Sequence, residues 1–275
     1  MHRVTSKDGT SIAYDRFGEG PAVILVGGGI VDRSENAPLA PVLAEHFTVY
    51  NYDRRGRGDS TDTTPYALER EFEDIAALID EAGGTAYLYG VSSGAALALE
   101  AAAAGLPIAK VAAYEVPYDV SEGAKQRHLE YTEKVQSLLA DDRRDDAMRL
   151  FMRLAGAPEE AVAQAHNSPM WAGSITVAHT LAYDAVCLGD GTPPTERLST
   201  ITQPVLVATG GTTDDTMAGL GTGFFDTAAD AVTAAIPGAE RAIISNQAHV
   251  ADPEAVVPVI TRFFNAKPSP WVLPG

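Results

Sequence analysis

Cysteine and positive charge are both scarce in this chain of 275 residues. Its single cysteine, Cys187, has no partner in the chain for a disulfide or a multi-thiolate metal site, which favours an intracellular protein. Lysine and arginine number 20 against 37 aspartates and glutamates, so the formal net charge is −17. Such a chain repels nucleic acid phosphates and anionic lipid surfaces, and we expect neither nucleic acid nor membrane as a partner.

A long apolar segment is also missing. The first eight residues contain no stretch typical of a secretory signal, and the uncharged run at 82–99 is interrupted by glycine, serine and threonine. With 45% hydrophobic and 21% charged residues, the composition is that of a packed globular protein. We expect a soluble, cytoplasmic protein that is a monomer or a homodimer.

Short β-rich segments alternate with helical ones over the first 116 residues, the pattern of a mostly parallel sheet with helices on both faces. The pattern then becomes helical, and strand-like segments return at Pro204–Ala208 and Arg241–Ser245. This indicates an α/β core with a helical insertion. The predicted boundaries are a core of residues 1–117 and 198–266, a helical cap at 118–197 and a tail at 267–275.

A serine between two glycines is the strongest motif. The pattern Gly-x-Ser-x-Gly at residues 90–94 follows the predicted strand Ala86–Tyr89 and precedes a helix that begins at Ser93. A strand, a tight turn and a helix in this order form a nucleophile elbow, in which small residues let the turn close and the serine points out of the sheet. A glycine-rich turn with a capping serine is the alternative, but the context favours Ser92 as a nucleophile.

A serine hydroxyl needs a base within hydrogen-bond reach before it can act as a nucleophile. Among the six histidines, only His249 follows a predicted strand at the carboxyl edge of the sheet, where α/β folds bind their ligands. A lone histidine in a loop is usually solvated. Its position after Ser92 in the chain nevertheless matches the order of nucleophile and base, and we expect His249 to be that base.

An acid should orient this imidazole, and three carboxylates are candidates. Asp214 and Asp215 lie in the loop after the strand Pro204–Ala208, where either could instead cap a turn. Glu115 ends the strand before the helical region, at a position that also faces the site. The residues alone leave this choice open.

Backbone N–H groups are needed to stabilise an oxyanion. Ser93 supplies one because it follows the nucleophile, and Gly28 or Gly29, directly after a strand, can supply the other. A phosphate cradle is the alternative for these glycines, but the sequence has neither the P-loop lysine nor the dinucleotide-binding spacing. The later glycines at 219, 221 and 223 lack a preceding strand and predict a mobile loop.

The segment Asp-Arg-Arg-Gly-Arg-Gly-Asp-Ser at residues 53–60 completes a family pattern. With the motifs above, it makes the chain resemble an α/β-hydrolase with a helical lid over nearly all of residues 1–266. The resemblance implies an eight-stranded, mostly parallel sheet with a helical cap inserted after the sixth strand. It also implies that residues 53–60 brace the loop beside the nucleophile. In relatives the acid usually stands three residues after a glycine, which favours Asp214 over Asp215, with Glu115 as the alternative.

The function expected from this resemblance is serine hydrolase activity on a small or medium apolar ester, lactone or thioester. No cofactor or metal is expected, and relatives that open epoxides or remove halides would have aspartate in place of Ser92. A perhydrolase, an acyltransferase, a C–C hydrolase and a ligand-binding receptor with little turnover remain alternatives.

Large apolar side chains of the helical insertion are candidates for substrate contact, although at helical spacing most could instead pack within it. The candidates are Met148, Phe151, Met152, Met170 and Trp171.

Overall fold

One sheet of eight strands organises the protein, and the computed structural model describes residues 1–267. The predicted tail therefore lies outside the described residues from position 268 onward. The strands are β1 (His2–Thr5), β2 (Ser11–Phe17), β3 (Ala22–Val26), β4 (Thr48–Tyr52), β5 (Ala86–Val91), β6 (Ile108–Tyr114), β7 (Val205–Gly210) and β8 (Glu240–Ile244).

The strand order is β1-β2-β4-β3-β5-β6-β7-β8. β2 pairs antiparallel with both β1 and β4, and the remaining neighbours pair parallel. Every residue of β4 and β7 is buried, as expected for strands covered by helices on both faces. The predicted eight-stranded, mostly parallel α/β sheet is confirmed.

Two helical layers cover the sheet, and each has its own apolar core. Helices α1 and α11 pack on one face, and α2, α3 and α10 pack on the other. The helices are α1 (Leu39–Leu43), α2 (Leu68–Glu81), α3 (Ser93–Ala103), α4 (Ala124–Ala140), α5 (Arg144–Leu154), α6 (Glu159–His166), α7 (Trp171–Thr176), α8 (Leu181–Cys187), α9 (Thr195–Leu198), α10 (Phe224–Ala235) and α11 (Pro253–Asn265).

Helices α4 to α9 all lie between β6 and β7. They enclose a small apolar cluster of their own, centred on Val135, Ala147 and Leu181. The division of the chain into core, cap and tail stays a prediction. Within residues 1–267, no helix has both the length and the apolar character that crossing a bilayer requires.

The parallel strands bring distant parts of the chain to one edge of the sheet. The three glycines at 27–29 follow β3, Ser92 follows β5, Glu115 follows β6 and His249 lies beyond β8. Because the carboxyl ends of parallel strands lie along the same edge, these segments become neighbours.

Candidate active site

Ser92 occupies a strained turn between β5 and α3. Its backbone has φ 55° and ψ −129°, a conformation that a non-glycine residue adopts only when its surroundings impose it. Its N–H donates to the carbonyl of Tyr114 at 3.0 Å, which ties the turn to β6. A side chain at Gly90 would collide with the carbonyl of Gly94, so glycine is required for the turn to close. The serine is held half-buried at the edge of the sheet.

His249 is bound to a carboxylate from the neighbouring strand. Its Nδ1 lies 2.8 Å from Oε2 of Glu115, whose side chain is only 3% exposed. Because an ionised carboxylate accepts but cannot donate, Nδ1 carries the proton and Nε2 is left as an acceptor. The N–H of Gly210 donates to Oε1 of Glu115 at 2.9 Å, and the ring of Phe225 stacks on the imidazole with centroids 4.9 Å apart. These contacts fix both the position and the tautomer of His249.

The structure does not place Asp214, the favoured acid, against His249. Its carboxylate accepts hydrogen bonds from the N–H and the hydroxyl of Thr216, at 2.8 and 2.6 Å, and caps a short helical turn at Asp215–Leu220. Aspartate in a loop commonly has this role. The expectation for Asp214 is therefore corrected, since within residues 1–267 the carboxylate bonded to His249 is that of Glu115.

Two arginines orient the glycine loop after β3. The carbonyl of Gly28 accepts hydrogen bonds from Arg57 and, at 3.3 Å, from Arg54. The N–H of Gly29 is on the opposite side of the same planar peptide, so it points away from the arginines. The N–H of Gly28 donates to Oε2 of Glu35 at 2.7 Å, and this predicted oxyanion donor is already engaged. Of the two glycines, Gly29 is therefore the one whose N–H can donate to an oxyanion.

Ser93 supplies the second N–H. As the first residue of α3, it has no partner for its N–H within the helix. Its hydroxyl donates to Asp184 at 2.9 Å, which fixes the beginning of the helix. Gly29, Ser92 and Ser93 line one cavity together. The N–H groups of Gly29 and Ser93 are thus the available pair beside the serine.

A buried ionic network lies beneath this loop. Asp184, on α8, accepts hydrogen bonds from Arg54 and Arg57 at 2.9 Å, and Glu71 forms a two-point ion pair with Arg54 at 2.7 Å. Burial alone would raise the pKa of Asp184, but the charges of Arg57 and then Arg54 outweigh it and lower the pKa below its usual range. The aspartate is therefore charged at neutral pH, and it joins the helical insertion to the glycine loop.

We expect Asp184→Ala to destabilise the protein strongly. The change leaves Arg54 and Arg57, each at most 2% exposed, without this counter-ion, and breaking such a buried pair costs about 3 to 5 kcal/mol of unfolding free energy. For a chain of this size the loss corresponds to a fall in Tm of about 10 °C, measurable by thermal denaturation.

The exposed pair of Asp190 with Lys125 in the same insertion provides the control, because Asp190→Ala should cost less than about 1 kcal/mol. Equal losses in the two variants would contradict the assigned role of Asp184. The stabilisation by Asp184 is fully present above its unfolded pKa of about 3.9 and is lost as the pH falls through its lower folded pKa.

A cavity of roughly 330 Å³ opens over Ser92 and His249. This volume is at the lower end of the range found for small-molecule sites. Its wall is mostly apolar and combines side chains of the glycine loop, the helical insertion and the segment after β7. The apolar side chains of the wall are Ile30, Val31, Pro117, Ala124, Phe151, Leu154, Ala155, Leu188, Met217, Leu220, Phe224 and Phe225.

Of the five predicted substrate-contacting residues, only Phe151 lines this cavity. Met148 is 1% exposed within the apolar cluster of the insertion, and Met170 is 79% exposed on the surface. The indole N–H of Trp171 donates to Asp145 at 2.7 Å, which holds its ring against the insertion. Met152 does not line the cavity either. Helical periodicity identified apolar faces, but it did not distinguish the face toward the cavity.

Sequence reasoning also missed side chains that do face the cavity. Met217, Phe224 and Phe225 flank the glycines at 219, 221 and 223, for which the sequence predicts a mobile loop. Two adjacent phenylalanines beside those glycines were a signal for an ordered apolar wall, because exposing large aromatic rings to water is unfavourable. No comparable sequence pattern predicted that the carboxylate of Glu35 lines the cavity.

A strained serine after a central parallel strand, with a carboxylate-bound histidine beyond the last strand, defines the class of α/β hydrolases. A family model described as the alpha/beta hydrolase family matches residues 23–259, and the chain belongs to this family of enzymes. A crystal structure of an alpha/beta hydrolase from Sphaerobacter thermophilus DSM 20745 is 46% identical, with a TM-score of 0.83. That alignment covers 96% of this chain and 100% of the other.

More distant similarities are with esterases and a lactonase. The enol-lactonase from Burkholderia xenovorans LB400 is 21% identical over 96% of this chain and 100% of its own, with a TM-score of 0.68, and shares the fold. A pimeloyl-[acyl-carrier protein] methyl ester esterase of Xanthomonas campestris pv. campestris (strain B100) is 39% identical over 90 residues, which are 32% of this chain and 34% of that protein. The uncharacterized hydrolase YraK of Bacillus subtilis (strain 168) is 35% identical over 96 residues, 34% of this chain and 35% of that protein. The matches thus span about a third of these curated relatives.

Proposed function

We propose that this hydrolase cleaves a small or medium apolar ester, lactone or thioester through an acyl-enzyme on Ser92. The observation that carries the proposal is the hydrogen bond of His249 to Glu115, because His249 lines the same cavity as the strained Ser92. A nucleophile, a base in a fixed tautomer and an orienting acid are the groups that acyl transfer requires.

Each step uses one of these groups. Nε2 of His249 takes the proton of Ser92 as its oxygen attacks the acyl carbon, and the N–H groups of Gly29 and Ser93 stabilise the resulting oxyanion. The imidazolium then protonates the leaving alkoxide or thiolate. His249 next activates a water that attacks the acyl-enzyme, which releases the acid and restores the serine. Glu115 keeps Nδ1 protonated and stabilises the imidazolium.

The cavity supports an apolar substrate of limited size. Its wall is predominantly aliphatic and aromatic, which favours an acyl or alcohol chain over a sugar or a phosphate. Similar structures include proteins named as an enol-lactonase and as esterases, in agreement with an ester or lactone substrate.

Active-site labelling together with turnover tests this proposal. A fluorophosphonate should modify the protein once, on the peptide that contains Ser92, and the unmodified protein should hydrolyse p-nitrophenyl esters of short acids in the steady state. Labelling without repeated turnover, or turnover by a fully labelled protein, would contradict it.

Phe151→Ala should change the preference for chain length more than the rate on the smallest ester. Its ring is the one predicted substrate-contacting side chain that lines the cavity, and its removal opens space for a longer chain while leaving Ser92 and His249 untouched. We expect the chain length with the highest kcat/KM to increase across p-nitrophenyl acetate to decanoate. Trp171→Ala is the matched control on the same insertion, and an identical shift in both variants would assign the effect to packing.

A further inference from the structure

Glu35 is a second carboxylate beside the nucleophile. A Cβ built on Gly28 would lie 3.2 Å from Cβ of Ser92 and 3.3 Å from Oε1 of Glu35, so both side chains flank the same point. Glu35 lines the cavity together with Ser92 and His249. The mechanism above assigns it no step.

The hydrogen bonds of Glu35 fix which oxygen faces the cavity. Oε2 accepts the N–H of Gly28 at 2.7 Å, and this is the only hydrogen bond of the carboxylate among residues 1–267. An ionised carboxylate has about four acceptor sites, so Oε1 keeps its full capacity. The other carboxylates of the cavity differ, because Asp184 is paired with two arginines and Asp119 with Arg127.

The carboxylate of Glu35 is exposed to solvent as well as lining the cavity, and within residues 1–267 no protein donor competes for its Oε1. The wall of the cavity is mostly apolar, so Oε1 of Glu35 is an acceptor beside the reacting centre with room for an aliphatic chain next to it. Glu35 remains accessible to water through the cavity, yet enough protein surrounds it that loss of bulk water raises its pKa. A substrate group that donates a hydrogen bond to Oε1 would form a charge-assisted bond, which is stronger than a neutral one.

We infer that Glu35 selects acyl substrates that carry a hydrogen-bond donor, a hydroxyl or an ammonium, on the first or second carbon from the reacting carbonyl. This inference rests on the proposed function and narrows its substrate class. The aliphatic part of such a substrate occupies the apolar wall, and its donor lies between Oε1 of Glu35 and the reacting centre.

Glu35→Gln tests the inference with almost no change in shape. The N–H of Gly28 keeps the amide oxygen of the new side chain on its own side, so the NH₂ group faces the cavity and an acceptor there becomes a donor. Substrates are ethyl butyrate, its 2-hydroxy, 3-hydroxy and 2-amino derivatives, and the 2-methoxy derivative, which has similar bulk but no donor. Each kcat/KM is divided by the rate of hydroxide hydrolysis to remove intrinsic reactivity.

The wild-type protein should prefer a donor-bearing ester over the methoxy ester, and Glu35→Gln should lower kcat/KM for that ester by about tenfold to a hundredfold. The unsubstituted ester should change less than about threefold, well below the loss of one charge-assisted hydrogen bond. The donor is identified by which of the two esters, hydroxy or amino, has the higher corrected kcat/KM. Asp32→Asn, which removes a negative charge from the same loop outside the cavity, should leave the preference unchanged.

Equal losses of kcat/KM on all esters in Glu35→Gln would overturn the inference and leave Glu35 only as an anchor for the N–H of Gly28. Glu35→Ala, which removes this anchor, is expected to give such equal losses. A wild-type protein without preference for any donor-bearing ester would also overturn it. In both cases, fluorophosphonate labelling of Ser92 and turnover of ethyl butyrate would persist if the proposed function holds, so the two failures are distinguishable.

Discussion

Replacing Ser92 by alanine should reduce kcat by several orders of magnitude and leave the fold intact. The Oγ atom is the proposed nucleophile, and no neighbouring side chain can take its place: the hydroxyl of Ser93 is committed to Asp184 and Arg54. Ser92 is half-buried, and its backbone strain is the same for serine and alanine. We therefore expect the melting temperatures of the two proteins to lie within a degree or two of each other, as for a near-neutral substitution.

Steady-state hydrolysis of a p-nitrophenyl ester and thermal denaturation are the two measurements. Ser199→Ala, at an exposed serine beyond α9 whose hydroxyl donates to the carbonyl of Glu196, provides a control with the same chemical change. Turnover that survives in Ser92→Ala with an unchanged melting curve would exclude the acyl-enzyme. A large fall in melting temperature would instead show that the turn depends on the hydroxyl.

The parts of the protein that local sequence determines were predictable. Buried apolar segments predicted the central strands, because β4 and β7 are covered on both faces and need no alternation of polar residues. The elbow at Ser92 was predictable because glycine on either side is a steric requirement that is visible in five consecutive residues. The parallel order of strands then brings this turn and the segment after β8 to the same edge.

The remaining features depend on contacts that no local pattern records. Which carboxylate lies against His249 depends on two local conformations. The loop beyond β7 turns Asp214 toward Thr216, and the positive φ of Glu115, 50°, ends β6 with its carboxylate against His249. Phe151 and Trp171 both pack against the apolar cluster of the insertion, but Phe151 also lines the cavity. The proximity of Glu35 to Gly28 arises because the loop after β3 folds back on itself.

Glu115→Gln should lower kcat by about 10³ to 10⁴ with little change in KM. The N–H of Gly210 keeps the amide oxygen of the new side chain on its own side, so the NH₂ group faces Nδ1 of His249. Two donors cannot bond to each other, and the imidazole must move its proton to Nε2. It then has no lone pair for the hydroxyl of Ser92, and the base is lost although every side chain stays in place.

Two further substitutions complete this test. Asp214→Asn keeps an acceptor for the N–H of Thr216, and Asp215→Asn alters an exposed side chain, so both should keep kcat within about threefold, less than the worth of one neutral hydrogen bond. Kinetics of all three variants on one p-nitrophenyl ester would decide the matter. If Asp214→Asn lost the rate and Glu115→Gln kept it, the hydrogen bond between Glu115 and His249 would have no role in turnover. If only Glu115→Gln loses it, the acid of this hydrolase comes from the strand before the helical insertion, and His249 depends on β6 for its tautomer.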